Sequence, residues 1–281
     1  MEQISITGIL ILIANLSVTY LGLRSPLFFE KYSFQVDEIL LNKNYKRIIT
    51  SGFLHISWVH LLFNMISFFC FSYSLELSIG KSNFLLLYFA SLAGGNLFAL
   101  YIHRNHYDYR STGSSAAITG IIFASIAFSP GLQLSIFGFP YYMAAWAYGI
   151  LYVLYSIYGI QSQKYNIGHE AHLGGGIIGL LAITLMFPYK IAGNYFPVVL
   201  ILTPTFIFLY LLIKRPAFLL LETPYQVFLK VGPFEIPDEK QHTNQRKKEI
   251  ELDEILDQIN ENGFNSLTQK EREKLEKLSK Q

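Results

Sequence analysis

The sequence predicts an all-α protein that crosses a membrane several times, and two observations support this fold class. Apolar runs of about 20 residues, the length that spans the hydrocarbon core of a bilayer, recur along the first three quarters of the chain. Charged residues are rare in the same stretch: residues 1–213 hold 10 Lys and Arg and 7 Asp and Glu, whereas the last 68 residues hold 12 and 13. Such a contrast indicates two solvents, lipid for the first part and water for the tail.

Six apolar runs are predicted to form the transmembrane helices of a membrane core, residues 1–190. They are approximately residues 4–23, 54–75, 84–102, 114–128, 134–158 and 171–187. A seventh run, 196–213, contains Pro204 and defines a further segment, residues 191–215. Its length favours a seventh transmembrane helix, while the nearby prolines leave an interfacial hairpin as the alternative.

Residues 216–281 are predicted to form a charged, soluble tail. Apolar side chains between Ile250 and Ile259 recur near helical spacing. Asn262-Gly263 is a helix-stop signal, and Thr268 followed by Glu271 is a capping-box pattern that opens a second helix. The tail is therefore expected to contain a helical hairpin.

Composition also disfavours several classes of function and partner. The net charge is only +2 and basic residues form no stripe, so nucleic acid is not an expected partner. A single cysteine, Cys70, allows neither a disulfide framework nor a cysteine metal cage. His169 and His172 are three residues apart, whereas a zinc protease helix needs histidines four apart, so no metal and no cofactor is expected. The lack of cysteine clusters and of a mitochondrial-type leader favours a bacterial plasma membrane.

Three polar clusters lie near the N-terminal ends of the second, fourth and sixth predicted helices. The second helix carries His60 and Asn64 on one face, the fourth opens with Gly-Ser-Ser-Ala at 113–116, and the sixth opens with His-Glu-Ala-His at 169–172. These three helices run in the same direction, so the clusters lie at similar depth. Because polar groups inside a membrane are costly, their convergence predicts a functional site. In contrast, His103, His106 and Asp108 indicate a solvated loop.

Small residues allow the fourth and sixth helices to approach closely. Gly175 and Gly179 form a G-x-x-x-G pair on the face that carries His172. We therefore expect the hydroxyl of Ser115 to lie within hydrogen-bonding reach of His172, about 2.6–3.2 Å. A neutral imidazole there could take the hydroxyl proton and later give it to a leaving group.

These motifs resemble the rhomboid family of intramembrane serine proteases over about residues 40–190. Arg47 matches an arginine in the first loop of the family, and Glu76 and Gly80 resemble the end of its second helix. The principal matching segments are His55-Ile-Ser-Trp-Val-His60-Leu-Leu-Phe-Asn64, Gly113-Ser-Ser115, and Ala171-His172-Leu-Gly-Gly175 with Gly179.

The resemblance implies an intramembrane serine endopeptidase with a six-helix core, or six plus one, that cuts transmembrane segments of other membrane proteins near the outer face of the bilayer. It implies that Ser115 is the nucleophile and His172 the general base, with no acidic third member. His60, Asn64 and the Ser115 backbone would form the oxyanion hole. The supporting residues would be Gly113, Gly175, Gly179, His55 and Arg47.

Three positions depart from the family pattern. Ala116 follows the serine where glycine is usual, Thr119 stands where a ring often stacks on the histidine, and Lys46 replaces a frequent tryptophan. These departures keep open an alternative function, that of a non-catalytic relative that binds transmembrane helices and controls their fate. The number of basic residues in the first loop also favours an inward-facing site, opposite to the orientation in the family.

Overall fold

The computed structural model describes residues 5–135, 142–162, 168–193 and 195–214. Over these ranges the helices, in chain order, are α1 (Ile6–Arg24), α2 (Pro26–Tyr32), α3 (Val36–Leu40), α4 (Arg47–Thr50), α5 (Trp58–Ile79), α6 (Lys81–Ile102), α7 (Ser115–Phe128), α8 (Ala145–Ser162), α9 (His169–Met186), α10 (Pro188–Ala192) and α11 (Tyr195–Lys214). A single 3₁₀ turn, Ser51–Phe53, follows α4 in this part of the chain. The strands are β1 (Phe34–Gln35), β2 (Arg110–Ser111), β3 (Gln133–Ser135) and β4 (Tyr142–Ala144).

The long helices have the length and composition of membrane spans. Among the described residues, α1, α5, α6 and α9 are each long and apolar enough to cross a bilayer. The apolar stretches of α7, α8 and α11 are shorter, at 10–17 residues. Large apolar side chains such as Leu10 and Leu62 are exposed on the outside of the bundle, where they suit lipid rather than water. The predicted all-α polytopic membrane fold is confirmed.

The starts of the helices follow local capping signals. The second predicted span was expected to begin near residue 54, but α5 begins at Trp58 because the Ser57 side chain accepts a hydrogen bond from the backbone N–H of His60. The final predicted span corresponds to α11, a helix that contains Pro204. It stays a prediction that α11 crosses the membrane. The division of the chain into 1–190, 191–215 and 216–281 also stays a prediction. The tail 216–281 lies outside the described residues.

The fifth predicted span is wrong over its first part. Residues 133–135 and 142–144 form an antiparallel pair of strands, with Leu134 opposite Met143, and α8 begins only at Ala145. A short apolar run suits a buried strand as well as a helix, so composition alone did not distinguish them.

The segment between α1 and α5 is folded onto the bundle. β1 pairs with β2 just before α7, with Phe34 opposite Ser111. The buried Arg47 donates hydrogen bonds to the carbonyls of Glu30 (2.5 Å) and Ser33 (2.8 Å) and forms an ion pair with Glu38 at 3.3 Å. The first loop of the chain is thus a folded segment that packs on the helices.

Helix α7 is the central helix of the described bundle. Every residue from Ser115 to Ala127 is buried, and α5, α6, α8, α9 and α11 pack around it. A Cβ on Gly175 would collide with the backbone carbonyl of Ala116, and one on Gly179 would collide with the backbone of Gly120. The predicted close approach of these two helices through G-x-x-x-G is therefore confirmed.

Candidate active site

Ser115 is the first residue of α7, and the backbone just before it requires glycine. Gly113 has a φ of 125°, a conformation that residues with a side chain rarely adopt. A Cβ on Gly113 would also lie 3.0 Å from His60 Cε1 and 3.5 Å from Ser115 Oγ. Gly113 therefore leaves one small space that both His60 and Ser115 border.

His172 lies in the first turn of α9 and is almost completely buried. Its Nδ1 lies 3.2 Å from the hydroxyl of Ser156 on α8, and its Nε2 has no hydrogen-bond partner among the described residues. The expected hydrogen bond to Ser115 is thus not formed in this structure. Catalytic hydrogen bonds are often long in the absence of substrate and shorten when it binds.

The two helices that carry Ser115 and His172 are nevertheless in backbone contact beside them. Gly175, one turn after His172, contacts the carbonyl of Ala116, the residue after Ser115. A Cβ on Gly95 of α6 would be 2.9 Å from both the Ala116 methyl and the Gly175 nitrogen. Three helices therefore meet through small residues next to the proposed dyad, and the methyl of Ala116 packs against the glycine of α6.

His60 and Asn64 occupy successive turns of α5. The Asn64 side-chain amide donates to the carbonyl of His60 at 3.1 Å, and His60 Nδ1 is buried without a partner among the residues that the structure describes. The His60 ring packs on that of His55, and His169 packs on His172, each pair with ring centroids 5.0 Å apart. The predicted oxyanion-hole residues thus lie in a region rich in imidazole groups.

His55 is fully buried in the loop before α5 and has the contacts of a brace. Its Nδ1 lies 2.9 Å from the Thr19 hydroxyl of α1, and its Nε2 lies 3.4 Å from the Ser114 hydroxyl. Burial, and secondarily the nearby His60, hold the pKa of His55 well below its usual value. A neutral His55 therefore links α1 to the residue that precedes Ser115.

Two residues of α8 that contact His172 were not predicted from the sequence. Ser156 bonds its Nδ1, and the Tyr152 ring lies beside the imidazole, with centroids 5.6 Å apart and planes tilted by 44°. Thr119 instead donates to the carbonyl of Ser115 at 2.7 Å. An aromatic neighbour of the histidine thus comes from α8 rather than from four residues after the serine. Tyr152 and Ser156 are four residues apart in an apolar run, so they lie on one face of a helix. This spacing was the sequence feature that indicated a polar face on α8.

The prediction of a solvated loop at 103–108 is wrong for His103. That side chain is buried, its Nε2 lies 3.1 Å from a carboxylate oxygen of Glu170, and its ring stacks on Tyr109 at a centroid distance of 3.6 Å. The Tyr109 hydroxyl donates to the other Glu170 oxygen at 3.2 Å. Burial, together with the Glu170 charge, holds the pKa of Tyr109 well above its usual value. Glu170, within the His-Glu-Ala-His motif, therefore bonds the loop before α7.

Comparison with known families gives two matches along the chain. The Rhomboid domain model matches residues 42–189, which include every residue proposed for the site. Residues 237–281 match a family of unknown function, DUF6576.

Three curated relatives are similar to part of the chain. "Rhomboid protein 1, mitochondrial" of Saccharomyces cerevisiae is 32% identical over 161 residues, 55% of this chain and 45% of the relative. "Putative rhomboid protease YdcA" of Bacillus subtilis is 41% identical over 80 residues, 28% and 39% of the two chains. "RHOMBOID-like protein 12, mitochondrial" of Arabidopsis thaliana is 30% identical over 151 residues, 48% and 44%. The chain thus spans less than half the length of each of these relatives.

Proposed function

This chain belongs to the rhomboid family, and we propose that it is an intramembrane serine endopeptidase that cuts transmembrane segments of other membrane proteins. The observation that carries this proposal is the burial and hydrogen bonding of the His172 imidazole. Its Nε2 is buried and has no hydrogen-bond partner in the described part of the chain. His172 lies in the turn of α9 that leads to the contact of Gly175 with Ala116, next to Ser115. A general base needs such a nitrogen close to a nucleophilic hydroxyl.

In the proposed reaction, Ser115 Oγ attacks the carbonyl carbon of the scissile peptide bond while His172 Nε2 accepts the hydroxyl proton. The tetrahedral intermediate collapses, the C–N bond breaks, and the imidazolium gives its proton to the leaving amine. Water then attacks the Ser115 ester with His172 again acting as base, which releases the carboxylic acid and restores the serine. No acidic third residue and no cofactor takes part.

The proposed oxyanion hole combines side chains of α5 with the first turn of α7. The His60 imidazole and the Asn64 amide would donate to the developing negative charge, together with the backbone N–H of Ser115. Within the described ranges, the N-cap residue Ser114 makes no side-chain hydrogen bond to the first turn of α7, so these N–H groups are not used by that cap. Loss of one such donor typically lowers the rate by about 10²–10³-fold.

The proposed substrates are single transmembrane helices that reach the site from the bilayer, and nucleic acid has no proposed role. The protein is an integral membrane protein. We place it in a bacterial plasma membrane with the site toward the outer face. The relatives include both a bacterial protein and proteins named as mitochondrial, so they do not decide the membrane. The assignment to a bacterial plasma membrane therefore depends on sequence features, and the outward-facing site depends on the family resemblance.

Fluorophosphonate labelling of the detergent-purified protein tests the catalytic proposal. The probe reacts with activated serines, so we expect labelling of the wild type, none of Ser115→Ala, and a loss of at least about 10³-fold for His172→Ala. Ser114→Ala is the matched control, because Ser114 is the adjacent buried serine and bonds His55 instead. Cleavage of a reconstituted transmembrane substrate should follow the same order. Full labelling or cleavage by Ser115→Ala would overturn the assignment.

The alternative is a non-catalytic family member that binds transmembrane helices and controls their fate. It is favoured by Ala116 and Thr119, which depart from the family pattern, and by the missing hydrogen bond between Ser115 and His172. A folded wild-type protein that neither reacts with the probe nor forms product would support it. Transmembrane helices would then co-purify equally with the wild type and Ser115→Ala.

A further inference from the structure

Ser156 is a buried serine of α8 whose hydroxyl touches two groups. It donates to the backbone carbonyl of Tyr152, one turn earlier, at 2.9 Å. It also lies 3.2 Å from Nδ1 of His172 on the neighbouring helix. The proposed reaction uses Nε2 of that imidazole and leaves the contact at Nδ1 without a role.

The two contacts can both be hydrogen bonds with only one neutral tautomer of His172. A serine hydroxyl has one hydrogen and two lone pairs. Because its hydrogen is given to the Tyr152 carbonyl, Ser156 can only accept from His172, and the 3.2 Å contact is a hydrogen bond only if Nδ1 is protonated. In a neutral imidazole with a protonated Nδ1, Nε2 has a free lone pair. That is also the atom that has no partner in the described structure.

The contact belongs to a larger match between one face of α8 and the start of α9. Tyr152 lies beside the His172 ring, and a Cβ on Gly159, three residues after Ser156, would collide with the ring of His169. The aromatic ring, the hydroxyl and the glycine share one face of α8. This face therefore fixes the positions of two successive histidines of α9.

We propose that Ser156 is the positioning residue of His172, which holds the imidazole with Nδ1 protonated and Nε2 available to Ser115. This inference rests on the proposed protease function. The role corresponds to that of the acid in a Ser-His-Asp triad, which holds the histidine tautomer. A neutral hydroxyl suits a site inside a membrane, where a carboxylate is costly. Free imidazole side chains favour the opposite tautomer, so the hydrogen bond has a preference to overcome.

Kinetics of three variants test the positioning role. Ser156→Ala should lower kcat and the rate of fluorophosphonate labelling by about 10–100-fold, the range found when the hydrogen-bond partner that orients a metal-ligating histidine is removed, with KM within about twofold. Ser156→Thr keeps the hydroxyl and should recover most of the rate. Ser67→Ala is the matched control, because Ser67 also donates to a helix carbonyl (Phe63, 2.9 Å) and bonds a residue of α8 (Tyr148, 2.8 Å) without touching a histidine. It should label at the wild-type rate.

Nitrogen NMR of histidine-labelled protein reads the tautomer directly and needs no activity. The His172 signals are assigned by their absence in His172→Gln. We expect an unprotonated Nε2 in the wild type and Ser156→Thr, and a shift toward a protonated Nε2 in Ser156→Ala. A protonated Nε2 in the wild type, or the same tautomer in Ser156→Ala, would overturn the inference. A wild type that shows the expected tautomer but fails to react with the probe would instead contradict the protease function alone.

Discussion

Ala116 adds a methyl group at a position where the family pattern has glycine, directly after the proposed nucleophile. The methyl packs toward Gly95 of α6, and the carbonyl of the same residue packs on Gly175 of α9. The extra volume is thus accommodated by glycines of two neighbouring helices. The contact distances at these glycines leave no room for a further carbon atom, so the junction should be sensitive to a single methyl group.

Gly175→Ala should destabilise the protein and reduce its activity. The added Cβ would overlap the backbone carbonyl of Ala116, and backbone atoms cannot move as a flexible side chain can. Overpacking of this kind costs about 1–3 kcal/mol, and it would displace His172, one turn away. We expect a lower thermal midpoint in detergent and slower fluorophosphonate labelling.

Gly193→Ala supplies the control for this substitution. Among the described residues, no atom lies within 4 Å of a Cβ on Gly193, so the effect of this substitution should stay within about 0.5 kcal/mol. Equal thermal midpoints for Gly175→Ala and Gly193→Ala would show that α7 and α9 are not in tight backbone contact at Ala116.

The fold of the segment between helices α1 and α5 depends on the buried guanidinium of Arg47. Arg47 satisfies two backbone carbonyls and one carboxylate, from residues spread over α2, the loop before β1, and α3. Removal of its side chain would take a donor from each of these acceptors. The Glu30 carbonyl keeps a hydrogen bond from Gln35, and the Glu38 carboxylate keeps those from Asn42 and Asn44. The Ser33 carbonyl therefore loses most, and leaving a buried acceptor unsatisfied is costly. The folded segment precedes His55 directly, so its loss would also affect the brace at Ser114.

Arg47→Ala should therefore lower the thermal midpoint, with a loss of about 1–3 kcal/mol in the free energy of unfolding, the cost of leaving a buried hydrogen-bonding group unsatisfied. The Glu38 side chain is partly exposed, so its ion pair with Arg47 adds less. Arg110→Ala is the matched control, because Arg110 pairs at 3.0 Å with the Glu30 carboxylate where both side chains are substantially exposed. An exposed pair of this type contributes about 0–1 kcal/mol. If both variants unfold at the same temperature, the Arg47 contacts do not stabilise the segment.

Much of the helical framework could be predicted from the sequence, because an apolar run of about 20 residues is typical of a helix that spans a membrane. The convergence of the polar clusters followed from helix direction, and Gly175 and Gly179 predicted the close contact of two helices. The strands before α8 were missed because apolar composition does not separate a strand from a helix. Ser156 was missed because its function depends on which neighbouring helix its hydroxyl faces, and periodicity does not define neighbours.

The positive-inside rule and the family resemblance predict opposite orientations of the protein in the membrane. Basic residues of the first loop favour an inward-facing site by the positive-inside rule, which is framed for short connecting loops. Arg47 in that loop is buried and paired with Glu38, and Arg24 stacks over the Tyr20 ring at 4.6 Å. These charges belong to a folded segment and not to a free connection, so we give more weight to the family resemblance and its outward-facing site.

Cysteine labelling at the two ends of α6 decides between these orientations. Asn105 and Ser82 are exposed residues just past the C-terminal end and near the N-terminal end of this helix, and Gly95 and His103 show that its C-terminal half lies at the Ser115 end of the bundle. In a Cys70→Ser background, which removes the one native cysteine, we expect Asn105→Cys to react with a membrane-impermeant maleimide in intact bacterial cells. Ser82→Cys should react only after permeabilisation.

The same pair of variants also reports the opposite result without ambiguity. Because one helix separates the two positions, a protein in a single orientation exposes one of them and protects the other. Reaction of Ser82→Cys alone in intact cells would place the Ser115 end at the inner face, and the positive-inside count would then outweigh the resemblance. A substrate would in that case be cut near the cytoplasmic end of its transmembrane helix. Reaction of both variants in intact cells would contradict a single orientation for the chain.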